Sequence, residues 1–111
     1  MPSEVDQILT SMSNAQIARL VEAIEAGRVY PGSYWYGDCG CIYGYAVYEP
    51  YQEYTADKAE DLRIQVTGCT DLSPLELELA RTALLGDTHL TNELLAFVRE
   101  SAIWKLENRG L

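Results

Sequence analysis

Ser73-Pro74-Leu75-Glu76-Leu77-Glu78-Leu79-Ala80-Arg81-Thr82-Ala83-Leu84-Leu85-Gly86 carries both a helix start and a helix stop. Ser73 supplies a capping oxygen, Pro74 fills the first helical position where a missing N–H is harmless, and Glu76 completes a capping box. Leu75, Leu79, Ala83 and Leu84, with Leu77 and Ala80, make the apolar side, and Gly86 ends it. Asp87 or Thr91 then opens a second helix, which Leu94, Leu95, Phe97, Val98, Ala102, Ile103 and Leu106 carry to Gly110. So short a connection forces the two to fold back, which predicts a helical hairpin from Ser73 to Asn108. Leu79, Leu84, Leu94, Leu95, Val98 and Ile103 are expected at the centre of the core. Trp104 neighbours that stripe and is expected either to finish the core or to join a dimer surface.

Working outward, Ser3 caps a first short helix with Val5, Ile8, Leu9 and Met12 on one stripe. Ser13 and Gln16 form a second capping box, after which Ile17, Leu20, Val21 and Ile24 repeat the stripe until Gly27. Arg28 to Gly37 switches to turn chemistry around aromatic residues, an ordered loop or short hairpin. Cys39 to Tyr48, with Asp38 as its cap, reads as a tightly packed helix, although its tyrosines and Val47 also fit a strand. Glu49-Pro50 ends it. Thr55 is placed as the cap of a short helix through Leu62. The alternation of Leu62, Ile64 and Val66 with Arg63 and Gln65 keeps an extended segment open before the Thr67-Gly68 turn. The expected architecture is mostly α: a small single-domain helical bundle over residues 1–111, with a C-terminal helical hairpin and a tyrosine-rich loop or short β-hairpin.

The composition, 48% hydrophobic and 23% charged over 111 residues, suits one globular core. Eight basic against seventeen acidic residues give a formal charge of −9, which repels phosphate backbones and anionic lipid. The expectation is no direct nucleic-acid binding and no membrane association. The N-terminal residues lack the basic start and apolar run of a signal peptide, and no stretch approaches the ~18 apolar residues of a span. Three cysteines, an odd number, fit a reducing compartment, so the expected location is cytoplasmic.

Cys39, Cys41, Cys69 and His89 would together supply the three sulfurs and one imidazole of a tetrahedral zinc site, although only the first pair is close and a single glycine separates it. The alternative is that the thiols pack as small hydrophobes, with no cofactor. Cys39 or Cys41 at a helix N-terminus with His89 as base would make a nucleophile, but Asp38 opposes thiolate formation. All eight tyrosines fall between Tyr30 and Tyr54, beside Trp35. Tyr34, Trp35, Tyr36, Tyr43, Tyr51 and Tyr54 are the expected protein-binding residues, since such rings add contact area at low entropic cost; closing one end of the core is the alternative. Glu49 and Glu53 lack the fixed separation of a glycosidase pair, and there is no phosphate loop, zinc-protease helix, serine elbow or dinucleotide fingerprint.

Leu20 to Tyr30, followed by Gly37-Asp38-Cys39-Gly40-Cys41-Ile42-Tyr43-Gly44-Tyr45-Ala46, resembles a pattern in small uncharacterised bacterial and phage proteins. In those, a helix ends in a glycine turn, a hairpin-like loop follows, and a helix containing cysteine and glycine comes next. The resemblance covers under a third of the chain, lacks the third cysteine frequent in that helix, and implies a helix there without implying any chemistry. The leading functional expectation is a non-enzymatic accessory protein that contacts another protein or a second copy of itself. The alternatives are a zinc-binding module and an acidic decoy that imitates DNA to block a DNA-processing enzyme.

Overall fold

The computed structural model describes residues 3–30, 35–36, 39–49 and 56–109, with the backbone alone for Trp35, Tyr36, Cys39 and Ala56. Helix α1 spans Glu4–Ser11 and begins where Ser3 Oγ accepts the amide of Asp6. Helix α2, Asn14–Glu25, opens on the reciprocal Ser13–Gln16 capping box. It closes on Gly27, whose φ of 70° lets the Arg28 amide reach back to the Ala23 carbonyl at 2.8 Å. Two-residue strands β1 (Trp35–Tyr36) and β2 (Cys39–Gly40) pair antiparallel, and Gly40 also bridges Val29 on its other side. The short hairpin expected within Arg28 to Gly37 thus extends beyond it, since its second strand takes Cys39 and Gly40 from the stretch read as helix.

Helix α3, Ile42–Val47, is six residues long and apolar on all sides: Ile42, Tyr43, Gly44, Tyr45 and Ala46 are all buried. Its cap is Cys41, whose Sγ accepts the Gly44 amide at 3.3 Å, because Cys39 and Gly40 are already committed to the ladder. The helical reading of this stretch holds from Ile42 onward, while its expected cap Asp38 lies outside the described residues. Helix α4 runs Ala56–Thr67, past the expected end at Leu62 and through the segment read as alternately extended. Its buried positions are Ala59 and Arg63, four residues apart, and Ile64 faces outward. The expected cap Thr55 is outside the described residues.

Helix α5, Pro74–Leu84, starts on the Ser73–Glu76 capping box and ends at Gly86, φ 70°. Helix α6, Thr88–Asn108, is capped by Asp87 and is the longest element. The pair packs as the expected hairpin, but its leucines are not the centre of the core. Leu79 and Val98 are buried, Leu94, Leu95 and Ile103 are half-buried, and Leu84 is 88% exposed. Leu84 lies roughly 140° around α5 from Leu79, whereas the buried face runs Glu76, Leu79, Thr82. The centre is Ile8 and Leu9 of α1, Ile17 and Leu20 of α2, and Ile42, Tyr43 and Tyr45 of α3, with Val98 and Ala102 closing it from α6.

Candidate interaction surface

The predicted site residues separate on folding. Cys41 is buried as the α3 cap, Cys69 is half-buried with its thiol directed at the Thr67 carbonyl, and His89 stands in solvent at the start of α6, 2.9 Å from Glu93. Among the described residues no three of His, Cys, Asp and Glu gather as a metal would require, so Cys41, Cys69 and His89 do not form the expected tetrahedral set; the Cys39 side chain lies outside the description. Tyr34, Tyr51 and Tyr54 lie outside the described residues, as do the side chains of Trp35 and Tyr36. Tyr43 is 0% exposed, and its assignment to a binding surface is corrected: it is a core residue.

What permits Tyr43 to be buried is a polar network that joins four helices. Its hydroxyl donates to Glu4 Oε2 at 2.8 Å, and Glu4 Oε1 accepts the Leu75 amide at 3.0 Å, tying α1 to α3 and α5. The Arg63 guanidinium lies 5.3 Å from the centre of the Tyr43 ring and forks onto the buried Glu76 carboxylate, with the second contact at 2.9 Å. Glu76 also accepts the Ser73 amide at 3.1 Å, so one carboxylate both completes the α5 capping box and neutralises the α4 arginine. Burial, followed by the Glu4 hydrogen bond, pushes the Tyr43 phenol far above its ordinary ionisation range, and Glu76 raises the Arg63 guanidinium further. Such paired, hydrogen-bonded buried charges fix geometry. Because its bonds run between α1, α3, α4 and α5, the network is a clamp between elements.

The clamp and the core together hold α6 so that one side of it remains uncovered. Leu90, Phe97 and Trp104, spaced every seven residues, are 40%, 52% and 59% exposed. Seven residues advance a helix almost two full turns, so the three form a row along one edge. Trp104 thus lies outside the core. Beside the row, roughly 60° around the helix, run Glu93, Glu100 and Glu107, all exposed. A cavity of about 350 Å³ opens where α1 meets this edge, between Leu9, Phe97 and Trp104, with Ser3, Asp6 and Glu100 at its rim. The basic residues of α6 point away and are engaged: Arg99 with Glu25 of α2 at 2.9 Å, and Lys105 with Asp6 and Thr10 of α1 at 3.0 and 3.1 Å. Leu84 and Leu85, in and before the α5–α6 turn, extend the exposed apolar area.

Sequence reasoning placed Phe97 in the apolar stripe and left Trp104 between two roles. The signal that separates them is the seven-residue recurrence of Leu90, Phe97 and Trp104, distinct from the Leu94, Val98, Ala102 stripe that faces the core. No family model, curated protein or solved structure matches this chain. No helix among the described residues is long and apolar enough to cross a membrane.

Proposed function

We propose that this chain is a small cytoplasmic accessory protein that acts by binding another protein through the outer edge of α6. The observation that carries the reading is the row Leu90, Phe97, Trp104: three large apolar side chains left in water on a helix whose opposite side is well packed. Aromatic side chains of this kind dominate binding energy at protein interfaces, and contiguous apolar exposure in a folded domain marks a contact surface. This reading takes its interface from the C-terminal hairpin; of the binding residues expected in the tyrosine-rich stretch, Tyr43 belongs to the core and the other side chains lie outside the described residues.

Site-directed photo-crosslinking in the cells that make the protein tests this. A photoreactive residue in place of Phe97 or Trp104 is expected to give a discrete adduct of defined mass, and the same residue in place of Glu60 on the exposed side of α4 is expected to give none. No adduct at positions 97 and 104, or an identical pattern at all three, overturns the reading.

A further inference from the structure

The two rows on α6 also specify the partner. We infer that the occupant of this face is a basic amphipathic helix of another protein, with large apolar residues along one edge and lysine or arginine along the adjacent one; this rests on the reading of the face as an interaction surface.

The argument is one of charge and symmetry. Glu93, Glu100 and Glu107 flank the apolar row along its whole length, Glu93 beside His89, while Arg99 is turned to Glu25 of α2 and Lys105 is taken up by Asp6 of α1. Glu100 and Glu107 have no ion-pair partner among the described residues, and the whole chain carries −9. A helix laid along this edge buries its apolar residues against Leu90, Phe97 and Trp104 only if the residues beside them tolerate a line of carboxylates. Lysine and arginine do so, and their cationic ends also suit the faces of Phe97 and Trp104. A second copy of the chain does not. An antiparallel twofold pairing of α6 sets glutamate row against glutamate row, and in either direction the −9 that each copy carries opposes self-association.

The probe is an 18-residue synthetic helix of leucine and lysine in this two-row arrangement, with otherwise identical peptides carrying glutamine or glutamate in place of lysine. Binding is followed by the Trp104 indole and Phe97 amide resonances in nitrogen-15 spectra, at low and high salt. The lysine peptide is expected to shift both signals and to bind about tenfold or more tightly than the glutamine peptide, with affinity falling as salt rises. The variant E93Q/E100Q/E107Q is expected to lose that preference, while D57N/E60Q/D61N, the same change of charge placed on α4, is expected to keep it.

Equal binding of the glutamine and lysine peptides, or an equal loss in both variants, overturns the basic partner and leaves the surface intact. So does a dimer by light scattering that Trp104→Ala dissociates. No binding by any peptide while cross-links still form at positions 97 and 104 overturns this inference alone; no cross-links at those positions removes the surface itself.

Discussion

Tyr43 concentrates the energetics of this fold in one side chain. Its ring fills the middle of the core, and its hydroxyl is committed to Glu4, a residue thirty-nine positions earlier in the chain. A phenolate there would be both desolvated and held against a carboxylate, so the folded protein retains the phenolic proton far beyond the ordinary pKa of ~10. The folded value is raised above the unfolded one. The stabilisation is therefore complete below about pH 10 and is lost as pH climbs from there toward the folded value. The melting temperature of the parent is expected to fall steeply above about pH 10. Tyr43→Phe should melt lower at pH 7, by about 1 kcal/mol for the lost hydrogen bond, yet decline less steeply in alkali. Equal slopes in thermal melts across that range count against this account. None of it was legible locally. A tyrosine among tyrosines fits a wet surface as well as a core, and the choice falls to Glu4, Arg63 and Glu76, whose convergence no sequence spacing expresses.

The starts of α1, α2 and α5 were legible to the residue, and that of α6 to one of two positions. Ser3, Ser13, Ser73 and Asp87 all cap the helices they precede, and Gly27 and Gly86 close two of them, because a cap needs only neighbours within four positions. The α4 segment was misread for the complementary reason. Leu62, Ile64 and Val66 alternate as in a strand, but the inward face is Ala59, Leu62, Arg63 and Val66, a helical spacing that is hidden in the sequence because its most deeply buried large member is an arginine held by a carboxylate on α5. Ser73 joins these two effects. It caps α5 with its oxygen and, through its amide, holds the carboxylate that Arg63 needs. Ser73→Ala keeps that amide but removes the buried oxygen and leaves the Glu76 amide without a partner away from water, so it is expected to cost about 2 kcal/mol, the upper end for a cap. Ser3→Ala, at an exposed cap where water can take the place of the lost oxygen, should cost nearer 0.5 to 1 kcal/mol. Urea unfolding of the two variants checks the order, and equal costs would separate the cap from the buried pair.

At the scale of the molecule, α2 is a wall between α3 and the C-terminal hairpin. It packs against α3, which carries Tyr43 and Tyr45, and against α6, the long arm of the hairpin, so the N-terminal helices and the C-terminal pair have a common wall instead of separate cores. The radius of gyration, 13.0 Å, is what one packed unit of this length has, roughly 13 Å. Unfolding either side uncovers Ile17 and Leu20, which are fully buried on α2, and so withdraws support from the other. Urea curves recorded by far-ultraviolet circular dichroism, which follows α6 most strongly, and by near-ultraviolet aromatic signals, to which the buried Tyr43 and Tyr45 of α3 contribute, are expected to superimpose. Leu20→Ala should shift both together, by about 2 to 5 kcal/mol, because the cavity it leaves lies in the shared wall. Leu84→Ala should move neither by more than about 0.5 kcal/mol, since its side chain is already in water. Curves that part company in the Leu20 variant would mean that the hairpin keeps its structure without α2, in which case the face on α6 belongs to a separable pair of helices and not to the bundle.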